Sequence, residues 1–429
     1  MMEGAGVIGP PPARARRGGP RERETGPARS LILPIMASPR QGPITGAVAG
    51  ASVPLLHGAR RTVRAVIVPG RCKPRRLAPA SAHDCSGIPQ THAPAGRAAP
   101  AMTRPLRLLV TGAGGYVGRH VTARALAEGH AVRASMRDPA RAAEIAGAVG
   151  GPVEPAALDL LRDAGWDAAM ADIDAVLHTA SPVPVGAPKR DDDVILPALE
   201  GTRRVMEAAA RAGISRVVVT SSIAAVLTPR GKNPADLFTA ADWTDAGNPA
   251  VRAYARAKTL AEREARRIAA EAGIALATIN PGVVFGPPLG GPATSSLALI
   301  DRLIRGRDPL LPRLHIPCVT VGDVAEAHMK ALGAEDGARI LMVADSVPLQ
   351  EVATLVRQAV PHARASRLTA PDWAVRLVAL VSPSVRAAAG GLGRRERVET
   401  ATAEALLGRK MTDPRAAVTA TARTLAGLA

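Results

Sequence analysis

The 429-residue chain is long enough for two or three domains, and with aromatics at only 2% its core must be built from Ala, Val, Leu and Ile. Its formal charge of +18 is uneven: residues 1–101 hold 15 Lys and Arg against 4 Asp and Glu, a net +11, which leaves +7 for the rest and no footprint of a nucleic-acid-binding domain. The cysteines Cys72, Cys85 and Cys318 form neither a disulfide framework nor a metal-ligand spacing, and no window of 18 uninterrupted apolar residues occurs; a reducing, cytoplasmic setting is expected, with no metal, no nucleic acid and no membrane partner.

Residues 1–101 are rich in Pro, Gly, Ala and Arg, as in PPARARRGGPRER, and no helical or strand period persists in them. The apolar piece Leu31–Met36 is short and contains Pro34. The order of a secretory signal is absent, and the proline density argues against an amphipathic transit helix. Two readings stand: a disordered basic extension, or an upstream stretch that is not translated, with the true start at Met102. The second is favoured, because a strand-first nucleotide-binding fold begins just before its first strand.

That strand opens Leu106–Gly118, LRLLVTGAGGYVG: a short apolar strand, a glycine turn, and a helix from about Tyr116. Gly112 permits the tight turn, Gly115 lets a pyrophosphate approach the backbone, and Gly118 lets the helix pack on the strand. The helix N-terminus offers free N–H groups to phosphates. Strand before and amphipathic helix after supply the context a dinucleotide fingerprint needs.

Further strands are expected at Ala131–Ser135, Val153–Leu158, Ala175–Thr179, Arg216–Thr220 and Ala275–Ile279, with helices between them, notably Asp192–Ala212 and Ala250–Ala272. This alternation predicts an α/β fold: a Rossmann-type, doubly wound parallel sheet over 102–285. After Pro281 the alternation loosens, through helices near Leu297–Arg305, Val321–Leu332 and Leu349–Val360, a short strand near Arg339–Val343, and an Ala-rich helical stretch from Pro371. Residues 286–429 are therefore expected to form a smaller, mostly helical substrate-binding region.

Three constellations carry chemistry. At the end of the second strand, AVRASMRDP places Arg137 nineteen residues after Gly118, with Met136 where an acid for the ribose hydroxyls would stand, which favours NADP over NAD. Asp138, beside a proline, suits a helix start. Tyr254 and Lys258 in RAYARAKTLAE share one helix face. A phenol ordinarily ionises near pH 10, and a neighbouring ammonium favours the phenolate, so this pair suits proton exchange with a substrate. Ser221 and Ser222 follow the fifth strand, where a hydroxyl can donate to a carbonyl oxygen as charge develops.

Taken together, these motifs resemble the extended short-chain dehydrogenase/reductases, within the NAD-dependent epimerase/dehydratase superfamily, and most nearly the branch of dihydroflavonol, cinnamoyl-CoA and bacterial aldehyde reductases. The resemblance runs from about Met102 to Leu332. It implies cofactor contacts from Gly112, Gly115, Tyr116, Val117 and Gly118, and makes Arg137 the phosphate reader. It implies that Asp159 and Leu160 meet adenine, that Ala180 and Ser181 of HTASPV stand beside the nicotinamide ribose, and that Pro281, Gly282 and Val283 line the nicotinamide. Ser222, Tyr254 and Lys258 align with the catalytic triad, Tyr254 and Lys258 also touching cofactor, and Asp323 opens the downstream helix that closes the site. His178 follows the branch's pattern as a packed strand-end histidine. Ala257 replaces a frequent serine, and the Trp, Tyr and Cys of the cinnamoyl-CoA signature are absent, which speaks against CoA thioesters. The implied activity is NADPH-dependent reduction of a small aldehyde or ketone by a monomer or homodimer. The alternatives are a nucleotide-sugar epimerase or hydroxysteroid dehydrogenase, or an NADP-sensing regulator without chemistry.

Overall fold

Seven parallel strands form the central sheet of the computed structural model, which describes residues 104–428 apart from 182–189, 234–235, 292–294, 383–384 and 387–388. The basic extension over 1–101 and the question of a start at Met102 lie outside the described residues. The strands are β1 (Arg107–Thr111), β2 (Ala131–Met136), β3 (Glu154–Ala157), β4 (Ala175–His178), β5 (Arg216–Thr220), β6 (Ala275–Pro281) and β7 (Arg339–Met342). Their spatial order is β7-β6-β5-β4-β1-β2-β3. The chain runs outward from β1 through β2 to β3, then crosses back to β4 on the other side of β1. That reversal opens a crevice at the carboxyl ends of β1 and β4, where doubly wound sheets bind ligands.

Alternate strand residues feed two cores, as the two-residue period of a strand requires. Leu108, Val110, Leu177, Val218 and Ile279 share a core with α1 (Tyr116–Ala127), α2 (Ala142–Val149) and α7 (Val321–Lys330). Leu109, Val176, Val217, Val219 and Leu276 pack on the opposite face, against α3 (Trp166–Met170), α4 (Asp192–Arg211) and α5 (Ala253–Ala272). Both cores are rich in Ala, Val, Leu and Ile, as the low aromatic content requires.

Most expected elements shift by a residue or two at an end, and two departures are larger. The helix expected from Ala250 begins at Ala253. Asn248 intercepts it: its side-chain oxygen accepts from Ala250 N–H at 2.9 Å and its carbonyl from Val251 N–H at 3.0 Å, while Arg252 stays extended. The division at residue 285 is not a single cut either. Val283–Phe285, His315–Thr320 and Asp345–Pro348 form a small three-stranded sheet, which shares a core with α6 (Ser295–Ile304), α8 (Leu349–Ala359) and the helix Pro414–Leu425. Yet α7 and β7, from the same stretch, return to the main sheet, with Ile340 opposite Ile279. An apolar RILM strand can complete either sheet, and register with β6 decides.

Candidate active site

The glycine turn is shaped by what a side chain would strike. Gly112 has φ +70°, and a Cβ there would lie 2.8 Å from the Ala180 Cα. Gly118 carries α1 across the turn so closely that a Cβ would collide with the Gly112 carbonyl oxygen and lie 2.8 Å from Thr179 Oγ1. Gly115 caps α1 without a side chain and closes the turn through its N–H on the Gly112 carbonyl at 2.8 Å. The first-turn N–H groups of α1, including Tyr116 and Val117, have no partner within the helix. Gly118→Ala is expected to destabilise the protein by about 1–3 kcal/mol, because backbone rather than a flexible side chain must yield. Urea unfolding of parent and variant measures it.

Tyr116 is turned away from this turn. Its hydroxyl donates to the Gly286 carbonyl at 2.9 Å, and burial pushes its phenol well above the usual range. It therefore fastens the small lobe to α1, and a cofactor contact from it would come from the backbone. Arg119 does similar work: fully buried, it donates to the carbonyls of Gly114 (3.2 Å) and Leu289 (2.9 Å) and pairs with Glu144 (2.6 Å).

On the β2 side, Arg137 is exposed and pairs with no described residue. Met136 is buried, and Asp138 accepts from Ala140 N–H at 3.0 Å, capping the short 3-10 turn as its place beside proline suggested. Asp159 is half-buried and accepts from Leu161 N–H at 2.9 Å; Leu160 packs over Gly201 of α4.

On the β4–β5 side a cleft is lined by Ala180, Ser181, Thr220, Ser221, Lys258 and Glu262. Lys258 donates to the Thr220 carbonyl at 3.3 Å, which draws its ammonium to the end of β5. Tyr254, one turn earlier on α5, is 44% exposed, and its hydroxyl has no hydrogen bond to a described residue. Ser222 is buried; its Oγ accepts from Ala224 N–H at 3.2 Å, which leaves its own proton free to donate. Ser222 and Tyr254 are not among the cleft's lining residues. Pro281 ends β6 beside Met342, and Gly282 passes so near the Pro317 carbonyl that a Cβ there would collide with it; Val283 begins the small sheet. Thus the ends of β4, β5 and β6, with α5, bring Ser181, Ser222, Lys258 and Pro281 to one end of the sheet, whereas Arg137 and Asp159 stand across the crevice at the ends of β2 and β3.

His178 is a packing residue. Burial, then the charge of Lys258, drives it down to about 3, and its neutral ring shares a 2.7 Å hydrogen bond with Thr111 Oγ1. Asp323 does not face the cleft: its carboxylate accepts from Arg409, Thr412 N–H and Thr412 Oγ1 at 2.7–3.0 Å, which fastens α7 to the C-terminal segment.

Beneath the serines lies a buried network that sequence reasoning missed. Glu262, on α5 one turn past Lys258, accepts from Ser221 Oγ (2.6 Å), Asn280 Nδ2 (2.8 Å) and Arg339 Nε (2.7 Å). Asn280 also donates to the Ser222 carbonyl at 3.2 Å, so one amide joins the carboxylate to the loop that carries Ser222. Arg339 reaches the carbonyls of Ala225, Ala240 and Asp242 and stacks 3.8 Å from the Trp243 ring centroid. Burial alone would raise the Glu262 carboxyl, but Arg339, Ser221 and Arg266 together hold it below the usual carboxylate range. In the sequence, Glu262 reads as an ordinary i+4 partner of a helical lysine.

A profile described as the NAD dependent epimerase/dehydratase family matches residues 108–344. Among curated proteins, the chain is similar to tetraketide alpha-pyrone reductase 2 of Arabidopsis thaliana, at 32% identity over 269 residues, covering 59% of this chain and 83% of that protein. It is also similar to cinnamoyl-CoA reductase 1 of Oryza sativa subsp. japonica, at 32% over 261 residues, covering 59% and 75%. Among solved structures, yeast methylglyoxal/isovaleraldehyde reductase Gre2 complexed with NADPH superposes with a TM-score of 0.62 at 24% identity, over 76% of this chain and all of that one.

Proposed function

The chain belongs to the NAD dependent epimerase/dehydratase family, and on that footing we propose that it is an NADPH-dependent reductase that converts an aldehyde or ketone to an alcohol. The observation that carries the reading is Lys258, held at the carboxyl end of β5 by the Thr220 carbonyl, with Tyr254 one turn earlier on the same helix and Ser222 two residues past Thr220.

The residues fit a dinucleotide. The cradle at Gly112 and Gly118 is one a Cβ would fill, and the α1 N-terminus beside it offers unpaired N–H groups to a pyrophosphate. Ala180 and Ser181 would border the nicotinamide ribose, Asp159 and Leu160 the adenine, and Pro281, Gly282 and Val283 the nicotinamide face. When bound, the nicotinamide supplies a hydride. Tyr254 gives its hydroxyl proton to the substrate oxygen, and Ser222 donates a hydrogen bond to that oxygen as negative charge grows on it. Lys258 holds an ammonium on the same helix face as the phenolate that remains, and reaches the ribose hydroxyls.

Arg137 reads the 2′-phosphate, since it stands exposed at the end of β2 with no described carboxylate to satisfy it. Initial rates with NADPH and NADH, over aliphatic and aromatic aldehydes and ketones, test this. Arg137→Ala is expected to raise KM for NADPH at least about tenfold and leave KM for NADH unchanged. Equal loss with both cofactors would remove Arg137 from that role, and faster parent turnover with NADH would overturn the NADPH assignment.

A further inference from the structure

Helix α9 (Asp372–Ala379) is packed inside out. Its inward residues are small: Val375 and Ala379 form a satellite cluster with Ala370 and Val385, apart from the two cores of the main sheet. Its large apolar side chains point outward, with Trp373 70% and Leu377 60% exposed, and the turn that follows it adds Leu380 at 71% and Val381 at 84%. Trp373, Leu377 and the C-cap Leu380, whose backbone is still helical, fall on one stripe, and Val381 of the turn extends it. Exposed large apolar residues scattered singly need no explanation, but four on one stripe do. None of them lines the cleft beside Lys258.

The surrounding charge indicates what covers the stripe. Residues 361–386 carry Arg364, Arg367, Arg376 and Arg386 against one acid, Asp372. Asp372 is already paired with Arg313 at 2.5 Å, whereas Arg367 and Arg376 are exposed. A self-complementary contact would set these arginines against their own copies. We propose that this stripe is a docking face for an anionic lipid bilayer, with Trp373, Leu377, Leu380 and Val381 entering the headgroup and acyl boundary and Arg367 and Arg376 meeting lipid phosphates, while Arg386 is held by the Ala379 and Leu380 carbonyls. Such a helix lies on a membrane rather than across it; no helix among the described residues is long and apolar enough to span one. The proposal departs from the sequence expectation of no membrane partner, because the pattern alone does not reveal which side of α9 packs inward. It stands independently of the reductase chemistry.

The test uses the full chain and tryptophan emission. Trp373 is exposed, whereas Trp166 is buried and Trp243 is stacked under Arg339. Residues 1–101 are basic enough to bind anionic vesicles themselves but carry no tryptophan, so a shift in emission does not report on them. With vesicles of phosphatidylcholine and phosphatidylglycerol, the Trp373 emission is expected to shift to the blue and to be quenched by brominated acyl chains. Pure phosphatidylcholine gives a much weaker response. The double variant Leu377→Asp, Leu380→Asp is expected to lower vesicle partitioning read from this signal at least about tenfold, with an unchanged thermal midpoint. Arg376→Glu, which leaves every apolar group in place, lowers it by a smaller factor and only on anionic vesicles. Unmoved Trp373 emission while the protein sediments with vesicles would overturn the proposal, assigning binding to another segment. A parent dimer that the double variant turns into a monomer would also overturn it, in favour of self-association.

Discussion

Tyr254→Phe is expected to lower kcat for carbonyl reduction by about 10²–10⁴-fold, the range that a lost general acid commands. NADPH affinity, read by fluorescence titration, and the urea midpoint stay near those of the parent. The separation of effects follows from the position of the side chain. Tyr254 is half-exposed on the first turn of α5, and its hydroxyl holds up no described part of the protein. Phe keeps the ring and removes one proton donor. On the proposed assignment Ser222 and Lys258 remain, and residual turnover is expected from one neutral donor and a nearby ammonium. A kcat within about threefold of the parent would mean that another group or a water delivers the proton. A fall in NADPH affinity as large as the fall in kcat would instead place Tyr254 chiefly in binding.

The second large effect is one of stability. Glu262→Ala is expected to destabilise the protein by about 3–5 kcal/mol, because it strands a buried guanidinium. Arg339 would retain the carbonyls of Ala225, Ala240 and Asp242 and the Trp243 ring, but no buried counter-charge at hydrogen-bond distance. Asn280 would lose the acceptor that orients its amide, and with it the grip on the Ser222 carbonyl. A lower kcat with little change in KM should therefore accompany the instability. The pH dependence has a definite sign. The Glu262 carboxyl is held below its ordinary value in the fold, so its contribution is present above the unfolded pKa of about 4.3 and is lost as pH falls through the lower folded value. Urea unfolding of parent and variant from neutral to acid pH should show their difference shrinking in that window. A difference below about 1 kcal/mol at neutral pH would mean that Arg339 is satisfied by carbonyls and the Trp243 ring alone.

Much of the frame was legible because its determinants are local. The strand, glycine turn and helix from Arg107 to Ala127 are specified by neighbouring residues, and Gly112 and Gly118 occupy positions where a Cβ would strike the backbone. Asp138 as a cap and His178 as a packing residue were legible from their immediate surroundings. The illegible features depend on distant partners. Glu262 becomes a buried anchor only because Arg339 arrives from a strand 77 residues away. Arg339–Met342 reads as an isolated short strand in a loosening C-terminal half, and only pairing with β6 places it in the main sheet. Asp323 sits at a helix start, as its sequence suggests, but Arg409 and Thr412 take up its carboxylate. The outward stripe of α9 is invisible to periodicity, which reports that one face is apolar but not which way that face points.

A reductase of the proposed kind moves a hydride from a nicotinamide to a carbonyl carbon. Purified protein should be supplied with NADPH deuterated at C4, each face in turn, and the same panel of aldehydes and ketones, and the product alcohol analysed by mass spectrometry. Deuterium is expected on the carbinol carbon from one face only, at a rate that falls with Tyr254→Phe. Tight NADPH binding with no deuterium transfer to any carbonyl of the panel would contradict that reading, and would move the NADP-sensing alternative ahead of the reductase.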